Sequence, residues 1–227
     1  MRQTGEERCV QVVVTNPKDG FALTAYRASA AGMRRGGVVV AQEIFGVTDH
    51  IRAICDDFAA HGYDAIAPSL FDRVAPGFHA AHDAAGIQSG LAAVQASPWE
   101  QVAGDVQACL DALDGPRYVT GFCYGGAVAW LAAARCTSVA AASGFYGRLI
   151  NALIAERPKA PMILHYGERD AGIPLSEVDK VREAHPDVTI HLYPAGHGFC
   201  RAGSADHHPE SAALALQRTR DHFAAHS

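Results

Sequence analysis

The sequence has no apolar run long enough to cross a bilayer. Its longest small-apolar stretch, Gly125 to Ala134, covers about half of the roughly 20 residues a membrane helix needs. The first nine residues contain Arg2, Glu6, Glu7 and Arg8 and lack the apolar centre of a secretory leader, so export is not expected and a cytoplasmic location is. There is no excess of positive charge. With 19 Lys and Arg against 24 Asp and Glu, the formal net charge is −5, which offers no general attraction to nucleic acid or to an anionic membrane surface. Any anionic ligand must therefore be captured by local groups. Cys-x-x-Cys spacing is also missing. The six cysteines, at 9, 55, 109, 123, 136 and 200, form neither a zinc ribbon nor the dense framework of a small secreted scaffold, and a reducing compartment suits them. No internal repeat, low-complexity tract or Pro/Gly/Ser linker interrupts the chain, so one domain spanning 1–227 is expected.

What is present is an alternation of β-rich runs and helical patterns. Cys9 to Thr15 and Phe21 to Arg27 read as an antiparallel hairpin at a sheet edge. Gly37 to Gln42 is a continuous apolar run of the kind found in strands buried on both faces, and Asp49 to His61 carries a helical pattern. Further strands are expected at Tyr63 to Pro68, Arg117 to Phe122, Ser138 to Ser143, Pro161 to Tyr166 and Val188 to Tyr193. Helices are expected within Phe78 to Leu113, with Pro98 as a start or break, and at Tyr124 to Ala134, Ser176 to Ala184 and Pro209 to Ala225. This order implies an α/β fold with a mostly parallel central sheet and helices on both faces. Reactive groups in such folds gather beyond the carboxyl ends of the strands.

The sharpest motif lies in such a place. Gly121-Phe122-Cys123-Tyr124-Gly125-Gly126 is a G-x-C-x-G pattern between an expected strand and an expected helix, the form of a nucleophile elbow with cysteine in place of serine. No G-x-S-x-G occurs in the chain. Alone, the pattern also suits an ordinary glycine-rich turn. Asp170 follows the next-to-last strand and could orient a histidine, although a loop aspartate making an Asx turn is the simpler use. His197 follows the last strand between two glycines. Together the three stand in the order nucleophile, acid, base, each after its own strand, which is the α/β-hydrolase arrangement.

With these motifs the chain resembles the dienelactone hydrolase family from its first hairpin to its last helix. The similarity runs through Gln42-Glu43-Ile44-Phe45-Gly46, Leu70-Phe71-Asp72-Arg73, the Cys123 elbow, Phe145-Tyr146-Gly147 and Gly196-His197-Gly198-Phe199-Cys200-Arg201. The resemblance implies an α/β-hydrolase fold without a separate cap domain and a Cys123, His197, Asp170 triad. It further implies an oxyanion hole from the backbone N–H groups of Ile44 and Tyr124, a Glu43 that restrains the resting thiol, and Arg73 and Arg201 as ligands of a substrate carboxylate. Tyr146 is a candidate for a hydroxyl at the pocket.

The expected activity is opening of a small enol lactone or ester, without metal or organic cofactor, by a monomer or small homo-oligomer. Tyr124, Cys200 and Phe71-Asp72 depart from the family pattern and bear on substrate identity. The alternatives are a broad small-ester carboxylesterase with the same triad, a hydrolase-fold binding module without activity, and a metal or redox site built on His197, Cys200, His207 and His208.

Overall fold

The protein, represented by a computed structural model, is described over residues 9–227. The N-terminal segment examined for a leader lies, except for Cys9, outside the described residues. Eight strands form one sheet: β1 Cys9–Thr15, β2 Ala22–Ala28, β3 Gly36–Ala41, β4 Tyr63–Pro68, β5 Arg117–Phe122, β6 Ala141–Phe145, β7 Met162–Gly167 and β8 Thr189–Tyr193. Their spatial order is β1-β2-β4-β3-β5-β6-β7-β8. β1 and β2 pair antiparallel, β2 runs antiparallel to β4, and the remaining pairs are parallel. All six residues of β3, a continuous apolar run, and all six of β4, Asp64 included, are buried, whereas the edge strand β1 exposes most of its side chains.

Among the described residues, α1 Asp49–Ala60, α2 Ala84–Gln95, α3 Trp99–Asp111, α4 Tyr124–Arg135 and α5 Leu175–Ala184 lie between strands, and α6 Pro209–Ala224 follows the last one. α1 and α6 cover one face, meeting through stacked Phe58 and Phe223 and an Arg220–Asp57 ion pair at 2.8 Å. The crossover from β3 runs outward to β4 and that from β5 runs the opposite way to β6, so right-handed connections put α4 on the face opposite α1. α4 is buried along almost its whole length, which explains why it is apolar all round.

Two local outcomes differ from the sequence reading, in β6 and after it. The long helical stretch divides at Pro98, as expected, into α2 and α3. Asp83 caps α2 by accepting from the Gly86 N–H at 2.8 Å, and Pro98 at φ −60° precedes the first turn of α3. β6 begins three residues later than expected because Ser138 adopts φ 60° in a turn, and Gly144 and Phe145 pair with Leu164 and His165 of β7. A 3-10 helix, Arg148–Leu153, follows β6 without an evident periodic signal.

β3 has β4 on one side and β5 on the other, so the chain leaves it in opposite directions. A crevice opens beyond the carboxyl ends of β3 and β5, which are aligned by the pairing of Ala41 with Gly121. The loops carrying Glu43 and Cys123 both emerge there.

Candidate active site

Cys123 is the single residue between β5 and α4. Its backbone sits at φ 54°, ψ −112°, a conformation costly for a side-chain-bearing residue, and is held there by its own N–H donating to the Phe145 carbonyl at 3.0 Å. The flanking glycines make the turn possible. A Cβ at Gly121 would stand 1.9 Å from the Gly125 oxygen, and one at Gly125 would stand 2.2 Å from the Ala41 oxygen. The elbow is thus wedged against the end of β3 by backbone alone.

His197 follows β8, and its Nδ1 lies 2.6 Å from Oδ2 of Asp170. Asp170 is buried, and its other oxygen accepts the backbone N–H groups of Gly172 at 2.8 Å and Ile173 at 3.1 Å. Those two bonds orient the carboxylate and leave Oδ2 for the imidazole. The Asx turn and the histidine partnership, posed as alternatives in the sequence, are both realised by one side chain.

Burial works against the cationic form of His197, but the hydrogen bond to Asp170, the neighbouring Cys123 sulfur and the charges of both overcome it, raising the imidazole pKa to about 10. The structure therefore brings Asp170, His197 and Cys123 together, with the Asp170–His197 hydrogen bond formed and Cys123 near enough to favour the cationic imidazole. Tyr146, at φ 38°, packs its ring 5.0 Å from that of His197 and is fully buried. Its hydroxyl has no hydrogen-bond partner among the described residues, and burial pushes the phenol well above its usual range.

The backbone N–H groups of Ile44 and Tyr124 donate to no acceptor among the described residues. Tyr124 is the first residue of α4, where no intrahelical acceptor exists for its N–H. Its ring is stacked on Trp99 and packed on Phe71, away from polar partners.

Glu43 is buried beside Arg201, whose Nη1 lies 3.4 Å from each carboxylate oxygen, and beside His82, whose Nε2 is 3.8 Å away. Burial pushes the Glu43 pKa upward, but the neighbouring His82, His50 and Arg201 prevail and hold it below the usual carboxylate range. The partners of Glu43 are thus Arg201 and His82, while Cys123 lies beside His197. Arg201 also lies 5.7 Å over the Phe45 ring, against which His82 packs at 4.2 Å. Next to this group is a cleft of about 560 Å3 whose lining includes Thr48, His50, His79, His82, Arg201 and Asp206. His82 stands in none of the motifs that the sequence singles out.

Arg73 departs from its expected position at the substrate. Its Nε and Nη2 donate to Asp105 at 2.9 and 2.7 Å, Nη1 pairs with Asp19 at 2.8 Å, and the guanidinium lies 4.2 Å over the Phe21 ring. Asp105 is 1% exposed and also accepts from Asn16, so Arg73 compensates a buried charge. Arg73→Ala is expected to cost about 3 kcal/mol of stability, by leaving a buried carboxylate without its cation. Urea unfolding checks this, and KM for a carboxylated ester should not change.

His207 and His208 have local duties. One ring bonds the Phe199 carbonyl at 3.1 Å, and the other accepts from the Ser211 N–H at the start of α6.

The dienelactone hydrolase family profile matches residues 23–227. A candidate carboxymethylenebutenolidase of Azospirillum brasilense is 34% identical over 223 residues, covering 92% of this chain and 95% of the relative. One from Escherichia coli K12 is 34% identical over 247 residues, covering 97% and 89%. The crystal structure of a candidate dienelactone hydrolase from Klebsiella pneumoniae is 31% identical and superposes with a TM-score of 0.82 over 95% of this chain and 98% of that one. A dienelactone hydrolase-like promiscuous phosphotriesterase from metagenomic libraries shares the fold, with 21% identity and a TM-score of 0.77 over 96% and 99%. The chain belongs to the dienelactone hydrolase family and is, by that membership, a carboxylic ester hydrolase.

Proposed function

We propose that the protein opens a small enol lactone or activated ester by acyl transfer to Cys123. The observation that carries this reading is the Asp170–His197 hydrogen bond beside Cys123, with the cysteine held at φ 54° on a turn beyond the sheet. The Cys123 thiolate attacks the acyl carbonyl, and the oxyanion that forms is stabilised by the Ile44 and Tyr124 N–H groups. Collapse of the tetrahedral species expels the enolate oxygen, which takes the proton of cationic His197. Thiolate is itself a good leaving group, so an amide would tend to expel sulfur again, whereas an enolate departs readily.

Acylation also changes the histidine. Once the sulfur carries an acyl group, the negative charge that helped raise the His197 pKa is gone, and the now neutral imidazole is free to act as a base. It removes a proton from water, the hydroxide equivalent adds to the thioester, and the thiolate leaves with the proton retained on His197. Asp170 keeps the imidazole in the required tautomer throughout. One domain spanning 1–227 supplies every group named.

Arg201 with His82 supports a preference for a substrate bearing a carboxylate, since both already face the Glu43 carboxylate. The engagement of Arg73 by Asp19 and Asp105 favours a second reading, in which the enzyme is a broad small-ester esterase with one guanidinium at its site. Loss of ultraviolet absorbance on opening a carboxylated dienelactone, compared with a neutral lactone of similar size, separates the two. The first reading expects KM for the carboxylated substrate alone to rise about tenfold in Arg201→Gln and His82→Gln, the loss of one exposed charge-assisted contact. Equal KM values for both lactones and no response to either substitution would leave the esterase reading.

A further inference from the structure

The turn Glu43 to Gly46 supplies both the Ile44 N–H and the Glu43 carboxylate, and among the described residues its backbone is linked to sequence-distant parts of the fold through one segment. Gly46 forms isolated β-bridges with Glu43 and with His79, and the Ala80 N–H donates to the Phe45 carbonyl at 3.1 Å. Gly46 itself, at φ +90°, would set a Cβ 2.4 Å from the Phe78 oxygen. The next part of the segment enters α2, and Gly90 on that helix faces the same turn. A Cβ there would stand 2.3 Å from the Ile44 oxygen and 3.0 Å from both the Ile44 carbonyl carbon and its Cβ. Glycine is a poor helix former and Gly90 is buried within α2, so local helix stability does not account for it.

We infer that Gly90, with the Phe78–Ala80 strap, is a positioning element that sets the Ile44 N–H at the oxyanion, and that α2 lies against the turn to fix this peptide. This rests on the acyl-transfer reading above, in which Ile44 donates to the oxyanion. A side chain at Gly90 pushes on the Ile44 carbonyl and so turns the residue whose N–H faces the substrate. Misplacing a catalytic dipole by about 1 Å costs about 100-fold in rate. The effect is selective by chemistry. Attack on an ester carbonyl creates an oxyanion, whereas displacement of iodide from iodoacetamide by the same sulfur, an SN2 step releasing iodide, creates none.

The test compares Gly90→Ala with wild type in two reactions of Cys123, the pre-steady-state burst with p-nitrophenyl acetate and alkylation by iodoacetamide followed by mass spectrometry. Acylation should slow by about 100-fold while alkylation is unchanged. Acylation at the wild-type rate, or equal slowing of both reactions, overturns the inference. Absence of any acyl adduct on wild-type Cys123 overturns the acyl-transfer reading and this inference with it. If Gly90→Ala does not fold, as judged by thermal unfolding, Ala80→Pro removes the N–H that holds Phe45 and should produce the same split.

Discussion

Cys123→Ala is expected to lower kcat for an activated ester by on the order of 10^5-fold, the scale on which removing a nucleophile from a catalytic triad acts. Residual turnover would come from oxyanion stabilisation and binding alone, because the Ile44 and Tyr124 N–H groups survive the substitution. The fold should survive too. Cys123 is partly exposed at the sheet end, and the turn around it is held by the Gly121, Gly125 and Phe145 backbone rather than by its sulfur. Steady-state kinetics with active-site titration measures the loss, and an unchanged kcat in the variant would remove Cys123 from the mechanism.

Asp170→Asn is expected to lower kcat by about 10^3- to 10^4-fold, through loss of the tautomer and of the charge that supports cationic His197. It should also change how stability depends on pH. The His197 pKa is raised in the folded protein to about 10, against an ordinary value of about 6.5. A raised pKa stabilises the folded state fully below the unfolded value, and the contribution fades as pH rises through the folded one. Wild-type unfolding midpoints should therefore fall between about pH 6.5 and about pH 10, and Asp170→Asn should flatten that decline. A slope identical in both proteins would separate the aspartate from the histidine's charge.

The backbone path was legible where neighbouring residues decide it. β4 and β5 begin and end at the residues expected, because each is a short, largely apolar segment bounded by glycine, proline or the elbow itself. β6 was displaced because Ser138 to Ala142 has strand-like composition, while pairing with β7 and the left-handed turn at Ser138 decide the register. The order Cys123, Asp170, His197 was legible for a related reason: each residue follows a strand, and parallel pairing carries strand ends to one edge.

Side-chain partnerships were not. Arg73 is captured by Asp105, 32 residues later, and by Asp19, 54 residues earlier. Neither carboxylate belongs to a motif, so the arginine's neighbours could not be read from its own segment. The same distance hides the approach of His82 to Glu43 and of Gly90 to Ile44, which depend on how α2 settles over the first crossover.

The pairing of Arg201 with Glu43 also bears on how substrate arrives. The guanidinium at the cleft is largely neutralised by a carboxylate 3.4 Å away, in a chain whose net charge is −5. Seen from beyond a Debye length of about 8 Å in physiological salt, the entrance presents little positive field. An anionic ester is therefore not drawn in from solution but sorted after contact, where Arg201 can exchange one carboxylate for another. Selectivity of that kind resides in how long a substrate stays rather than in how often it collides.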